Sequence, residues 1–213
     1  MGSFNVDATL FSAAALFQSS EETRYYLNGV HIEPRADGGV FIVATDGHRM
    51  LVCHDETGTI EGGSVICRLG KDQLKACKPG RGEEGPRRVI ASQGEPATVT
   101  DAAGTPVAIM PKWQIEGSFP DWRRAMAGAD SAGGHDAFDS ALFASFAAAG
   151  KLVAGNTRMR IETGSAGGPA LIHFHAAGHV IGLLMPMRWD GGRGFPKFLD
   201  FEPRKPTVES EAA

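Results

Sequence analysis

The sequence predicts an α+β fold built mainly from antiparallel strands, and three observations carry that expectation. Residues 22–54 hold closely spaced strand signals separated by a sharp polar turn, which is the pattern of a meander. Helical periodicity followed by short strands then occurs twice, over roughly 4–68 and 69–118, as an internal duplication would produce. A further helix followed by strands lies over 138–185.

Taken in order, residues 6–19 place Leu10, Phe11, Ala14 and Phe17 at helical spacing behind Asp7, a residue type that caps helix N-termini. Residues 23–32 crowd the β-formers Tyr25, Tyr26, Val30 and Ile32 and read as a strand, and Gly38-Gly39 opens a second strand over 40–44. Thr45-Asp46-Gly47-His48 supplies residue types that tolerate a tight turn before the apolar run 49–53. Residues 64–68 read as another strand. A short helix over 70–78 carries Lys71, Lys75 and Lys78 on one face. Pro and Gly make 78–86 a loop, after which 88–92, 97–101 and 106–110 read as strands. The Gly- and Ala-rich 127–136 stretch is a linker. A third helix over 138–150 shows Phe138, Leu142, Phe143 and Phe146 on one face and closes at Gly150. Strands over 158–163, 170–175 and 179–185 follow it. The final 191–213 reads as a tail, although Phe195, Phe198, Leu199 and Phe201 are apolar enough to need burial.

Composition narrows the function classes. With 42% hydrophobic residues and 213 positions the chain can bury one or two cores. No apolar run approaches the roughly 20 residues of a membrane-spanning helix, so a soluble cytoplasmic protein without membrane partners is expected. A net charge of −4 confines any nucleic-acid contact to a local patch, for which Lys71, Lys75 and Lys78 with the nearby Arg81 are the candidates. Cys53, Cys67 and Cys77 form no CxxC pair and read as reduced thiols rather than zinc ligands. His173, His175 and His179 have the alternation of strand positions but no acidic or Cys partner nearby in sequence. Asp46 and His48 read as turn-stabilising residues. With no nucleophile elbow, phosphate loop or metal set, neither an enzyme nor a cofactor is expected.

Four ordered blocks give a family resemblance. Arg24-Tyr25-Tyr26-Leu27-Asn28-Gly29, Ala44-Thr45-Asp46-Gly47-His48-Arg49, Gly117-Ser118-Phe119-Pro120-Asp121-Trp122-Arg123-Arg124 and Met185-Pro186-Met187-Arg188 resemble the bacterial DNA polymerase III beta subunit, the sliding clamp. That resemblance implies a DNA-clamp fold in which helix pairs are backed by antiparallel sheets. It implies a complete domain of two modules over 1–118, a half domain over 119–190 and a tail over 191–213. No counterpart of the N-terminal clamp domain is visible.

It also implies a function in DNA replication or repair, as a non-catalytic processivity factor or as a non-encircling adaptor or decoy. Short peptides of DNA polymerases or repair proteins would sit in an apolar pocket formed by Leu27, Thr45, Gly47, His48, Arg49, Met50, Pro120, Arg124, Met185, Pro186 and Met187. Composition alone would place Leu27, Met50 and Met185 in the core instead. Ala125 and Trp189 depart from the family's usual residues at this pocket and imply a reshaped one. Double-stranded DNA would be met through Lys71, Lys75 and Lys78. Closing a ring of roughly twelve modules from a three-module chain would take a homo-oligomer, four copies being the simplest.

Overall fold

A computed structural model describes residues 2–128, 137–164 and 167–188. The expectations for most of the 127–136 linker, for Trp189 and for the 191–213 tail lie outside these residues.

The chain opens with a strand, β1 (Ser3–Asp7), and the helix that follows, α1 (Ala8–Ala15), is shorter than the expected 6–19. Phe4 and Val6 are buried and alternate with the polar Ser3, Asn5 and Asp7, the period of a strand that is paired on both sides. The cap was legible: Asp7 Oδ1 accepts from the amides of Thr9 at 2.7 Å and Leu10 at 3.0 Å.

The strand expected over 23–32 is also corrected. Tyr25–Leu27 forms a 3-10 turn closed by Asn28 N–H donating to Tyr25 O at 3.0 Å, and only β2 (Val30–Pro34) is extended. Local β-propensity loses there to the tertiary setting. β3 (Val40–Thr45) and β4 (Arg49–Asp55) follow as expected, and then come β5 (Thr59–Glu61), unforeseen, and β6 (Val65–Cys67).

Next are α2 (Lys71–Ala76), β7 (Arg88–Ser92), β8 (Ala97–Thr100) and β9 (Pro106–Met110). A six-residue helix that the sequence reading missed, α3 (Trp122–Ala127), precedes α4 (Ser140–Ala154). α4 runs past Gly150 and stops at Gly155, whose left-handed φ of 67° makes the C-terminal cap. The chain then forms β10 (Met159–Glu162), β11 (Ala170–Phe174) and β12 (Val180–Leu184).

Strand, helix and three strands recur as β1-α1-β2-β3-β4 and as β6-α2-β7-β8-β9. The two repeats exchange their first strands, since β1 pairs with β7 and β6 with β2. The result is a five-stranded sheet, β5-β1-β7-β8-β9, and a seven-stranded sheet, β10-β11-β12-β4-β3-β2-β6. The seven-stranded sheet is continuous because the last strand of the first repeat, β4, pairs antiparallel with β12, with Val180–Leu184 set against Arg49–Cys53.

α1 packs on α4, and the Phe17 and Phe146 rings meet edge-on at 4.8 Å. Gly182 in β12 makes this possible: a Cβ there would lie 2.5 Å from the Phe146 ring. Alternate residues of β3, β4 and β12 turn to the opposite face of the sheet. There Val43, Met50, Val52 and Leu183 form a second, smaller core covered by Trp122 of α3.

Candidate functional site

The β3–β4 turn is built by its own side chains. Asp46 Oδ1 accepts from the amides of His48 at 2.9 Å and Arg49 at 3.0 Å, and Oδ2 accepts from Arg49 Nε at 2.9 Å. Thr45 Oγ1 donates to Arg49 O at 2.9 Å and accepts from Gly47 N–H at 3.0 Å. Gly47 has φ +94°, a backbone conformation that favours glycine, and a Cβ there would press on the end of the Arg24 side chain, 2.7 Å from Nη1. The turn is tied to the end of β12, because Met185 N–H donates to His48 O at 2.8 Å.

Between this turn, the 3-10 turn, the end of β12 and the segment leading into α3 lies a pocket of about 250 Å³. It brings together Leu27, Thr45, Gly47, His48, Arg49, Met50, Pro120 and Met185 from the expected set. Arg124, Pro186 and Met187 do not line it. Arg124 is exposed on α3, and Pro186 and Met187 continue past the rim. Arg24, Tyr26, Leu183 and Ala125 complete the lining. Arg24 and Tyr26 belong to a block that the sequence already marked. Leu183 could have been found from strand alternation two residues before Met185.

The pocket wall is shared with the core. Leu27 and Met50 are each 3% exposed, Leu183 and Met50 belong to the second core, and Met185 is 38% exposed at the mouth. The choice between core and pocket posed by the sequence is therefore resolved as both for Leu27 and Met50. Cations stand at the rim. Arg49 Cζ lies 5.4 Å from the Phe17 ring centroid, and Arg24 is held by two hydrogen bonds to Glu21, at 2.8 and 2.9 Å. The Arg24 guanidinium holds the exposed Glu21 carboxyl below its ordinary range.

α3, which carries Ala125 into the lining, is fixed by Glu33 of β2. One Glu33 oxygen accepts from Trp122 Nε1 at 3.1 Å and pairs with Arg123 at 2.6 Å, while the other meets His31 Nε2 at 3.1 Å. His31 stacks on Phe119 at 4.6 Å with the planes 4° apart. Burial lowers the His31 pKa below its usual value of 6.5. Burial would raise Glu33, but its hydrogen bonds from Arg123 and His31 outweigh that and hold it below 4.5.

The expected DNA-facing residues are exposed. Lys71 and Lys75 lie on α2, Lys78 just beyond its end, and Lys75 reaches Asp72 at 3.6 Å across solvent. α1 carries no Lys or Arg, and α4 carries only Lys151. His173 leans on Glu162 at 2.9 Å, and among the described residues no three His, Cys, Asp or Glu side chains converge on a metal-sized site. Cys53, Cys67 and Cys77 are buried and unpaired, and burial pushes the Cys77 thiol up to about 12. Such thiols are poor nucleophiles near neutral pH. No helix among the described residues is long and apolar enough to cross a membrane.

Comparison with known proteins bears on the whole arrangement. Residues 6–75 match the family model for the DNA polymerase III beta subunit, central domain. The beta sliding clamp of Proteus mirabilis is 35% identical over 123 residues, 57% of this chain and 30% of the relative. That of Caulobacter vibrioides is 32% identical over 124 residues, 57% of this chain and 31% of the relative. The chain thus spans about a third of the length of these relatives. A sliding clamp from Pseudomonas aeruginosa superposes with a TM-score of 0.62 at 19% identity, covering 88% of this chain and 67% of the other. A clamp from Bartonella birtlesii bound to griselimycin gives 0.60 at 18% identity, covering 88% and 66%. The fold is therefore that of the sliding clamps.

Proposed function

We propose that this chain, a relative of the DNA polymerase III beta subunit family, is a non-catalytic clamp-like protein that holds short peptides of DNA polymerases or repair proteins. In this reading residues 1–118 are a complete clamp-like domain and 119–190 a half domain. The observation that carries it is the pocket at the β3–β4 turn. Leu27, Met50, Pro120, Leu183 and Met185 form its apolar wall, and Arg24, Arg49 and His48 stand where a peptide's polar groups would meet them. Leu27 and Met50 are locked into the core, so the wall is formed before a ligand arrives and costs little to order.

Griselimycin is bound by the Bartonella clamp, and the present reading makes it a defined probe to try on this chain. Titrated into the full chain by calorimetry, it should bind saturably. Met185→Glu, at a half-exposed position that tolerates a charge, should weaken binding about tenfold or more, a loss of about 1.4 kcal/mol. No binding, or binding unchanged by that substitution, would rule the pocket out.

A second reading, a peptide-binding adaptor that does not encircle DNA, is favoured by one observation. The described surfaces of α1 and α4 supply a single cation, Lys151, to attract phosphates.

A further inference from the structure

A second cavity, of about 460 Å³, shares Pro120 with the peptide pocket. Its lining includes His31, Glu33, Glu116, Asp121 and Arg123. Residues 119–125 therefore touch both spaces, and their anchors are on the cavity side. Phe119 stacks on His31, Trp122 donates to Glu33, and Arg123 pairs with Glu33. Pro120 stands between these anchors and Ala125 a turn beyond them, and both line the peptide pocket. α3 has six residues, too few to hold its place by its own hydrogen bonds.

We propose that Glu33 is a positioning residue for the peptide pocket: through Trp122 and Arg123 it holds Pro120 and Ala125 in the pocket wall, and a proton taken up by the buried His31–Glu33 pair loosens that wall. The inference rests on the peptide-binding reading of the pocket.

The pair is built so that a further proton has no good place. The His31 side chain is 9% exposed. An ionised Glu33 only accepts, so neutral His31 gives it the Nε2 hydrogen. His31 Nδ1 is buried and has no hydrogen-bond partner among the described residues. A second proton would sit there unpaired, with the Arg123 guanidinium already on the same carboxylate. The other charged groups along the cavity are Glu116 and Asp121. From the neighbouring strands, Val43 and Ile66 lie beside His31 and Phe41 beside Glu33, with Arg35 beyond the Phe41 ring.

Burial, with Arg123 adding to it, holds His31 below 6.5. Against the opposing effect of burial, the hydrogen bonds from Arg123 and His31 hold Glu33 below 4.5. The anchored arrangement thus binds fewer protons than a loosened one, and acidification works against it, first through His31.

Calorimetric titration of griselimycin into the full chain and its variants tests this, at temperatures where circular dichroism shows each protein folded. Glu33→Gln keeps an acceptor for Trp122 but gives up the ion pair with Arg123. Arg123→Ala breaks the same link from a side chain that is 53% exposed, and carries the test should Glu33→Gln not fold. Each should bind about three- to tenfold more weakly at neutral pH, and the combined variant little worse than either. Wild-type affinity should fall as the pH drops through 6.5, and His31→Gln, which keeps a donor for Glu33 but gains no proton, should flatten that fall. His48 at the pocket rim is common to all these proteins and cancels in the comparison. A merely structural Glu33 would lower the melting temperature of its variant and leave the affinity of the folded protein unchanged. That result would overturn the proposal, while wild-type binding weakened by Met185→Glu would still uphold the pocket. A pH profile that His31→Gln leaves unaltered would overturn the proton linkage. No binding by the wild type would overturn the pocket and this inference together.

Discussion

Glu33 is the residue on which the small second core is pinned, because a single carboxylate answers Trp122, Arg123 and His31. Glu33→Ala leaves the indole N–H of a buried Trp122 without its acceptor, a cost of about 1–3 kcal/mol. For a chain of this size that corresponds to a fall in Tm of about 2–4 °C per kcal/mol. The pH dependence has a definite sign. Glu33 is held below its ordinary 4.5, so the folded state binds fewer protons than the unfolded one. Its contribution is complete above pH 4.5 and is lost as the pH falls through its folded pKa. His31 is depressed below 6.5 by burial, so its contribution is complete above pH 6.5 and declines beneath it. Melting temperature followed from neutral to acid pH should therefore fall in both windows, and Glu33→Gln should flatten the part below pH 4.5. An unaltered acid limb in that variant would show that Glu33 does not titrate against folding. The sequence marked Trp122 and Arg123 as part of a block. Glu33 was not legible, because it reaches them only when β2 and α3 lie side by side.

At the scale of elements, the contact between α1 and α4 joins the first repeat to the chain beyond the linker. Two fully buried rings meet there, Phe17 and Phe146. Phe146→Ala should cost about 3–5 kcal/mol, and chemical denaturation would measure it. A loss below about 1 kcal/mol would mean that this packing is not what holds the joint. The helical faces carrying these rings were readable from their spacing. The bounds of α1 were not, because Val6 fits both the helical and the strand pattern. Only pairing with β5 and β7 decides between them. Likewise Tyr25 and Tyr26 have strong strand propensity, yet they stand in a 3-10 turn beside the pocket, a position set by what surrounds them.

For the whole molecule, the proposed DNA contact turns on the lysine stripe of α2. If Lys71, Lys75 and Lys78 meet phosphates, replacing all three with Ala should lower the slope of log affinity against log salt for duplex DNA by about 2.7. Fluorescence anisotropy across a salt series would measure this. An unchanged slope would remove these lysines from any DNA contact.

By itself the sequence determined the α+β class, most of the strands, the Asp7 cap, the Thr45–Arg49 turn and the blocks that bear the family likeness. Each of these follows from local periodicity or from side chains bonding to nearby backbone. Tertiary structure alone decided that the repeats exchange first strands and that β4 meets β12. It also decided that Leu27, Met50 and Leu183 serve at once as core and as pocket wall. Those outcomes depend on pairings between residues far apart in the chain, to which no local pattern is sensitive.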